Sequence, residues 1–377
     1  MRKPHITAIG TAVPTYAIGQ EFASEWIATT LALSAAEIRK VKLIYRATGI
    51  QNRYSVIPDF SDCGQRKLFS LTENLEPFPS TADRMRIYQS EAPLLAAAAV
   101  KNMGLPVDCF EQITHLITVS CTGMYAPGLD IDLIQLLGLP PSVQRTCIYF
   151  MGCYAAFNAL QAATAICKAY PDAKVLIVDV ELCTLHFQKI NSEDQLLANA
   201  IFADGAASVL VECVRPEQGL LSLEGFYSGI IPESNKEMAW YIGNFGFEMK
   251  LSAYVPAILG NKIRPLIEQA TQKWQIPFSV IDYFVFHPGG KRILTEIEMG
   301  LGISPHENRW AYEVMQQYGN MSSATIIFVL KHFLDSFRQQ AQTEKKVYVL
   351  AAAFGPGLTM ESAILQLQNT CCHYAAF

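Results

Sequence analysis

The chain has 377 residues, of which 51% are hydrophobic and 17% charged, so it can bury the cores of roughly two or three domain-sized units. Its formal net charge of −5 gives no support to nucleic-acid binding. No apolar run reaches the roughly 18 residues needed to span a bilayer, which argues against a membrane partner or a membrane location.

Cysteine usage and the amino terminus predict a cytoplasmic protein. Residues 1–10 lack the apolar stretch and cleavage site of a signal peptide. Ten cysteines in a long chain without such a signal favour a reducing compartment over a disulfide framework. No Cys-x-x-Cys pair occurs, and the adjacent Cys371 and Cys372 lack ligand spacing, so no zinc site is expected.

Short apolar strands alternate with helical patterns along the chain. Strands are predicted at 6–10, 116–120, 146–150, 175–180, 207–211, 283–287, 347–352 and 360–365. Helices are predicted at 21–33, 90–103, 155–170, 257–273, 306–318 and 323–340. Strands rich in Val, Ile and Leu that are separated by helices predict an α/β fold with a largely buried sheet.

A weak internal repeat divides the chain. In each half a strand leads into a helix that carries a reactive polar residue, and each half closes with a glycine turn and a strand, at 203–211 and 354–365. Pro216 and Gly219 interrupt the pattern between them. The sequence therefore predicts two similar halves, residues 1–215 with a nucleophilic cysteine and 216–377 with a histidine and an asparagine.

Cys153 lies between a run that predicts a buried strand, 147–152, and an alanine-rich helix pattern at 155–167. Gly152 permits the sharp turn from strand to helix. A thiol in this place feels the positive end of the helix, which predicts a lowered pKa and thiolate character. The alternative is a structural cysteine, because free cysteine is usually an inert small hydrophobe.

Two further polar residues occupy similar positions. His287 ends the apolar strand 281–286 and precedes Pro-Gly-Gly, and Asn320 lies just before the apolar helix pattern at 325–334. Each has a structural interpretation: a strand-end histidine is often a satisfied core residue, and an asparagine before a helix is often an N-cap.

Together the three residues suit one chemistry. A cysteine thiolate can take an acyl group from a thioester with histidine as its base. The N–H groups of a neutral histidine and an asparagine can then stabilise the enolate left when a malonyl group loses carbon dioxide. Papain-like proteases also use Cys, His and Asn, but their cysteine lies near the mature amino terminus in a motif with Trp, which Cys153 lacks.

These residues and their neighbours resemble the sequence motifs of a known family. The resemblance rests on five ordered motifs: Phe-Met-Gly-Cys153-Tyr-Ala-Ala, Phe202-Ala-Asp-Gly-Ala-Ala, Phe-His287-Pro-Gly-Gly, Tyr-Gly-Asn320-Met-Ser-Ser and Phe354-Gly-Pro-Gly-Leu. They are similar to those of type III polyketide synthases, the chalcone and stilbene synthase family, in its bacterial branch. The resemblance runs from about residue 6 to residue 367 and implies a thiolase-like layered αβαβα fold of two similar α/β halves.

Related condensing enzymes fit less well. Ketoacyl synthase III enzymes follow the histidine with Gln-Ala-Asn, whereas Pro-Gly-Gly follows His287. Thiolases need a second cysteine near residues 354–357, and hydroxymethylglutaryl-CoA synthases need a glutamate, for which Glu181 is the candidate by spacing. A ketoacyl synthase III-like single condensation stays an alternative. So does a non-catalytic scaffold partner, although that role would be expected to show loss of Cys, His or Asn.

The resemblance implies roles for individual residues. Cys153 resembles the nucleophile that holds starter and growing chain, and His287 and Asn320 resemble the decarboxylation pair. Phe202 aligns with one gatekeeper aromatic between CoA tunnel and cavity, and Met249 takes the place of the second. A core role is the alternative for both.

Other cavity positions depart from the plant pattern. Cys121, Cys183 and His186 stand where plant enzymes often have threonines, and Trp240 replaces a small residue. The remaining cavity positions are Ser322 and Ala126, the latter where a neighbouring subunit usually contributes a methionine. These departures resemble bacterial members that make resorcinols, phloroglucinols, pyrones or naphthols.

The resemblance also implies substrates and partners. Lys40, in a basic cluster with Arg39, Lys42, Arg46 and nearby Arg53, aligns with a CoA-contacting lysine, and Arg292 is a second candidate for CoA binding. An acyl-CoA starter and malonyl-CoA are the expected substrates, with an acyl carrier protein as the alternative starter donor. A homodimer is expected, and no metal, flavin or other cofactor is implied.

Overall fold

The computed structural model describes residues 2–61, 63–338 and 346–367. The strands are β1 Lys3–Ala12, β2 Tyr16–Gly19, β3 Asn52–Ser55, β4 His115–Ser120, β5 Gln144–Tyr149, β6 Lys174–Leu182, β7 Asp204–Val214, β8 Leu221–Ile230, β9 Met238–Gly243, β10 Gly246–Leu251, β11 Ile281–Phe286, β12 Val347–Gly355 and β13 Thr359–Leu367. The helices are α1 Gln20–Thr30, α2 Ala35–Ala47, α3 Thr81–Lys101, α4 Val107–Phe110, α5 Leu129–Leu137, α6 Ala155–Ala169, α7 Glu193–Ile201, α8 Val255–Trp274, α9 Lys291–Leu301, α10 Arg309–Tyr318 and α11 Thr325–Arg338.

Nine strands form one mixed sheet in the order β11-β12-β13-β8-β1-β7-β6-β4-β5. The pairings repeat between the two parts of the chain. In the first part β1–β7 and β7–β6 are antiparallel and β6–β4 is parallel. In the second part β8–β13 and β13–β12 are antiparallel and β12–β11 is parallel. We infer from this repeat that the chain divides into two similar halves close to residue 215.

Both faces of the sheet are covered by helices. Along β6, Val175 and Ile177 pack in one hydrophobic core with α6 and α11, whereas Leu176 and Val178 pack in a second core with α3 and α5. Successive side chains of a strand point to opposite faces, so a strand that is apolar at every position is buried on both sides. The layered α/β prediction is therefore confirmed. None of the helices in the described parts of the chain has the length and hydropathy to cross a bilayer.

Every predicted strand and helix overlaps an observed element, but several elements have no counterpart in the prediction. The predicted helix 323–340 ends in residues outside those described, as do Cys371 and Cys372. The prediction lacks β2, β3, β8, β9 and β10, and also α2, α4, α5, α7 and α9. The β8 sequence includes Gly225 and Gly229, which weaken a strand pattern.

The strand before Cys153 exists but is not buried as predicted. β5 is the last strand of the sheet, and its first four residues, Cys147 among them, are exposed. Its sequence is apolar towards the end, where Ile148 and Tyr149 are partly buried and Met151 beyond them is exposed. An exposed edge strand offers unpaired backbone groups to another chain.

The close approach of β1 and α3 leads to a first prediction. A Cβ on Gly10 would collide with the Ala99 carbonyl oxygen and lie 2.8 Å from the Met103 amide nitrogen, both of them backbone atoms. Because neither can rotate away, Gly10→Ala should lower the free energy of unfolding by about 1–3 kcal/mol. The control is Gly19→Ala, where a Cβ meets nothing within 4 Å and a change of about 0.5 kcal/mol or less is expected. Equal urea denaturation midpoints for the two variants would contradict the predicted steric conflict.

Candidate active site

A strained turn sets the position of Cys153. After β5, Phe150 has a φ of 61° and Gly152 a φ of 93°, both in the left-handed region. A Cβ on Gly152 would collide with the Pro356 ring, so only glycine fits this turn. The Gly152 carbonyl accepts a hydrogen bond from the Ala155 N–H at 3.0 Å, which starts α6 just behind the thiol. The predicted strand–turn–helix arrangement is therefore confirmed.

Cys153, His287 and Asn320 line one cavity. Cys153 comes from the first half of the chain, whereas His287 follows β11 and Asn320 precedes α11 in the second half. The rest of the wall is mainly apolar and consists of Phe202, Met238, Met249, Leu251, Gly289, Ile293 and Phe354. The structure thus brings together the three residues that the sequence selected as a chemical unit.

The Cys153 thiol is not acidified as the sequence suggested. Burial is the largest cause that raises its pKa to about 12; the Ser322 hydroxyl lowers this pKa, and the Glu181 and Asp179 carboxylates add to the rise. That hydroxyl lies 3.8 Å from the sulfur. A helix terminus contributes about 0.3–1 kcal/mol, less than one pKa unit, so desolvation outweighs it. The thiol is neutral in this cavity.

His287 is buried without a hydrogen-bond partner for its ring. Its backbone N–H donates to the Ala352 carbonyl at 2.8 Å, which continues the parallel pairing of β11 with β12. Neither Nδ1 nor Nε2 has a partner among the described residues. Burial lowers the pKa of the imidazole to about 3, so the ring is neutral, with one N–H donor and one free acceptor. Buried polar groups are normally paired, and an unpaired ring in a cavity is available to a ligand.

Asn320 is fixed by its own chain neighbours. Its Oδ1 accepts the Ser322 N–H at 2.9 Å, so the amide NH2 is the end left for a ligand. Ser322 adopts a φ of 47° in this turn, a strained value for a residue other than glycine. The Asn320 backbone exchanges hydrogen bonds with the first half: its N–H donates to Ile201, and its carbonyl accepts from Ala203. These bonds hold Asn320 against the backbone of Phe202.

Phe202 and Met249 lie between two cavities. Both line the cavity of Cys153, and both also line a larger one. We call this larger cavity the apolar chamber. Its walls include Ile18, Ala23, Trp26, Ile27, Tyr45, Arg53, Phe60, Cys183, Thr184, His186, Phe187, Gln195, Ala198, Asn199, Trp240 and Phe247. Phe202 and Met249 thus lie where the two cavities meet, and their gatekeeper role stays a prediction.

The β9–β10 hairpin builds one side of the apolar chamber. Trp240 and Met249 are directly opposite each other across the two strands. The Trp240 indole N–H donates to the Cys121 carbonyl at 2.7 Å, which holds the ring beside Phe247 and His186. A large aromatic side chain at position 240 therefore occupies volume that a small residue would leave open.

His186 lines the apolar chamber with its ring face and not with a free nitrogen. Its Nδ1 accepts the Phe247 N–H at 2.9 Å, and its Nε2 donates to the Thr122 carbonyl at 2.7 Å. The ring stacks on Phe247 with centroids 4.2 Å apart. Burial lowers its pKa to about 3. His186 is thus a neutral wall residue.

Three other predicted cavity residues line neither cavity. Cys121 packs behind the Cys153 turn, where its sulfur accepts the Gly152 N–H at 3.0 Å. Ser322 contacts the Cys153 sulfur from the same side. Ala126 is exposed on this chain, and its predicted place beside a neighbouring subunit stays untested.

The predicted basic cluster is only partly a surface feature. Lys40 and Lys42 on α2 are paired with Glu193 and Glu25, and Arg292 is exposed at the start of α9, next to the cavity residue Ile293. Arg53, by contrast, is buried. Its guanidinium donates to the carbonyls of Asn199 and Phe202 at 2.9 and 2.6 Å. Arg53 therefore stabilises the backbone at Phe202 and does not face solvent.

The sequence interpretation lacked two parts of the site. The first part is the hairpin of residues 238–251. Apolar residues stand at every second position before the turn Gly243-Asn-Phe-Gly246, at Trp240 and Ile242, and again after it, at Phe247, Met249 and Leu251. This pattern predicts a β-hairpin. The second part is the pair of buried acids Asp179 and Glu181 on β6. The signal in the sequence is two carboxylates, two residues apart, in an otherwise apolar strand. Among the described residues no group of three or more His, Cys, Asp or Glu side chains is arranged to hold a metal ion.

Comparison with known proteins agrees with this geometry. The family model described as chalcone and stilbene synthases, N-terminal domain, matches residues 2–214. The model for the C-terminal domain of the same family matches residues 223–368. The chain is similar in structure to polyketide synthase PKS-I of the brown alga Ectocarpus siliculosus, with a TM-score of 0.90 and 27% identity over 97% of this chain and 99% of that one.

Relatives of different lengths share this similarity. The chain is 30% identical to "Probable polyketide synthase 1" of Dictyostelium discoideum over 96% of its length but spans only 11% of that protein. It spans 9% of "Polyketide synthase 37" from the same organism. It is 28% identical to the Mycobacterium tuberculosis "Alpha-pyrone synthesis polyketide synthase-like Pks18", covering 96% of this chain and 91% of that protein. With both family domains matched in order and a thiolase-like fold shared with solved relatives, the chain belongs to the chalcone and stilbene synthase family, the type III polyketide synthases.

Proposed function

We propose that this chain condenses malonyl-CoA repeatedly onto an acyl starter held as a thioester on Cys153. The observation that carries the proposal is the shared cavity of Cys153, His287 and Asn320, in which the His287 ring has no hydrogen-bond partner from the part of the chain that the structure describes. A buried thiol, a neutral imidazole and an amide NH2 are the groups that thioester capture and enolate stabilisation require.

In the loading step the Cys153 sulfur attacks the thioester carbonyl. The carbon–sulfur bond to CoA breaks, and the thiol proton passes through the free nitrogen of His287 to the departing CoA thiolate. In an apolar cavity a thiolate and an imidazolium stabilise each other, although burial opposes either charge alone. Proton transfer from Cys153 to His287 therefore accompanies attack on the thioester.

In the extension step malonyl-CoA loses carbon dioxide, and the electron pair of the broken carbon–carbon bond remains as an enolate. The His287 N–H and the Asn320 NH2 donate to the enolate oxygen. The enolate carbon then attacks the Cys153 thioester, and the sulfur leaves as a thiolate. Because both donors are neutral and already oriented, they favour the charge that develops in the transition state over the neutral substrate.

The apolar chamber supports an aliphatic starter or growing chain beyond Phe202 and Met249. Its wall is dominated by aliphatic and aromatic side chains, and its histidine has no free nitrogen. Product identity, whether resorcinol, phloroglucinol, pyrone or naphthol, depends on how this space folds the chain.

The surface at the start of α9 supports delivery of the CoA thioester. The Lys291 side chain reaches the end of α2 at Gly49, which brings Arg292 and the basic residues of α2 to one side of the molecule. An acyl carrier protein stays the alternative starter donor. The exposed edge strand β5 supports the predicted homodimer, and a cytoplasmic location stays a prediction from cysteine usage.

Cys153→Ala should abolish acyl loading, because the covalent attachment is lost, and should leave malonyl-CoA decarboxylation detectable, because His287 and Asn320 remain. Intact-protein mass spectrometry reports the adduct and carbon dioxide release reports decarboxylation. Cys109→Ala, which changes a thiol outside both cavities, should load normally. An acyl adduct of wild-type stoichiometry on Cys153→Ala would place the nucleophile elsewhere.

Asn320→Ala should slow decarboxylation by about 10²–10³-fold, the usual effect of losing one oxyanion donor. Loading on Cys153 should persist, and so should the fold, because the backbone bonds to Ile201 and Ala203 do not use the side chain. The two rates are measured separately, with a melting curve beside them. A parallel fall in loading would show that Asn320 orients His287 and does not contact the enolate.

Met249→Phe should change which starters are accepted or how many extensions occur, because the added ring narrows the junction between the two cavities. Products from short, aromatic and long-chain acyl-CoAs are compared by mass spectrometry. Met85→Phe makes the same exchange at a half-buried methionine that lines neither cavity and should leave the profile unchanged. If Met249 only fills core, Met249→Phe will instead lose about 1–3 kcal/mol of stability with an unaltered profile.

A further inference from the structure

The carboxyl end of α7 is held by residues from distant parts of the chain. The carbonyls in the last turn of any α-helix have no partner inside the helix. At the end of α7 the Ala198 carbonyl accepts the Phe202 N–H at 3.1 Å. The next three carbonyls, at positions 199–201, accept hydrogen bonds from three residues that are more than 100 positions away in the sequence. The end of α7 is therefore a junction between separate elements.

The Arg53 guanidinium, which comes from β3, binds two carbonyls at this junction. Its Nη1 donates to the Asn199 carbonyl at 2.9 Å and to the Phe202 carbonyl at 2.6 Å. Its Nε donates to Gln20 Oε1 at 3.1 Å, and the Gln20 amide donates to the Ala200 carbonyl at 2.8 Å. Carbonyls at the carboxyl end of a helix carry partial negative charge and attract a cation. Arg53 is only 5% exposed, so these bonds are shielded from water.

The third carbonyl of the junction leads to Asn320. The Ile201 carbonyl accepts the Asn320 N–H at 2.8 Å, and the Asn320 carbonyl accepts the Ala203 N–H at 2.9 Å. Arg53 also contacts this segment. A Cβ on Gly319 would lie 2.7 Å from Arg53 Cγ and 2.9 Å from the Ile201 carbonyl oxygen, so the aliphatic part of Arg53 packs against the Gly319 backbone. One side chain thus contacts both the end of α7 and the residue that precedes Asn320.

We propose that Arg53 is a positioning residue for Asn320. By fixing the end of α7 and packing on Gly319, it holds the Asn320 amide in the place from which that amide donates to the enolate oxygen. The inference rests on the proposed function, in which Asn320 is one of two enolate donors. The lining of the Cys153 cavity includes Asn320 but not Arg53, so Arg53 acts through the backbone and does not touch substrate there.

Arg53→Met tests the proposal, because methionine keeps an unbranched side chain against Gly319 and removes the guanidinium. Carbon dioxide release from malonyl-CoA should fall by about 10²-fold, the effect of misplacing a reacting group by about 1 Å. Alkylation of Cys153 by iodoacetamide, followed by peptide mapping, should keep the wild-type rate. Starter preference would not separate the two roles, because Arg53 also lines the apolar chamber.

Arg84→Met is the matched control. Arg84 is a second fully buried arginine, and it donates to the backbone carbonyls of Leu185 and Phe187, in the segment that follows β6. Its replacement should lower the melting temperature as Arg53→Met does and leave carbon dioxide release at the wild-type rate. Arg53→Lys keeps the charge and three donors on one nitrogen, so its rate should lie between those of Arg53→Met and the wild type.

Hydrogen exchange gives a test that does not depend on activity. In Arg53→Met the amides of Asn320 and Ala203 should exchange about tenfold faster than in the wild type, because hydrogen bonds that hold their segment are lost. In Arg84→Met the same two amides should exchange at the wild-type rate. If Arg53→Met does not fold, Arg53→Lys should show smaller changes of the same sign in both measurements.

Two outcomes would overturn the proposal. Equal losses of carbon dioxide release in Arg53→Met and Arg84→Met would show that Arg53 only stabilises the fold. Unchanged exchange of the Asn320 and Ala203 amides in Arg53→Met would show that Arg53 does not hold this segment. A wild-type protein that releases no carbon dioxide would instead contradict the proposed function, and the exchange rates would still decide whether Arg53 positions Asn320.

Discussion

Burial of the Cys153 cavity is the constraint on which the rest of the site depends. It moves the pKa of Cys153 up and that of His287 down, so it favours the neutral form of both groups. The same low dielectric strengthens any charge pair that forms between them and any hydrogen bond to an enolate. Reactivity in this site therefore depends on the number of charges in the cavity and on their positions.

The repeated strand order explains how distant parts of the chain meet at this cavity. Cys153 follows the edge strand of the first half, whereas His287 and Asn320 come from the second half. The halves are joined close to the chemistry by the backbone bonds of Asn320 to Ile201 and Ala203. Those bonds also place Phe202 beside Asn320, so a residue between the two cavities and a polar residue of the Cys153 cavity are held by the same backbone contacts.

The sequence predicted local geometry well and environment poorly. The Cys153 turn follows from Gly152 and a strand–helix pattern, and these rules act over a few residues. That β5 is an exposed edge depends on where the chain places the strand in the sheet, which a window of apolar residues does not reveal. The acidity of Cys153 was predicted in the wrong direction because the helix terminus is visible in sequence, whereas desolvation depends on the whole cavity. The burial of Arg53 was missed for the same reason, because a run of basic residues does not show which of them is buried.

The β9–β10 hairpin shapes the apolar chamber without being part of the main sheet. Its two strands pair only with each other among the described strands, outside the nine-stranded sheet. Inward, it presents Trp240 and Met249 to the apolar chamber, and outward it exposes Tyr241, Ile242 and Phe245. A change at Trp240 or Met249 alters the volume available to a growing chain without disturbing a ladder bond of the main sheet. Cys153, His287 and Asn320, by contrast, are held by that sheet and by the contacts between the two halves. Substitutions on the hairpin can therefore change the shape of the apolar chamber while the positions of Cys153, His287 and Asn320 stay fixed.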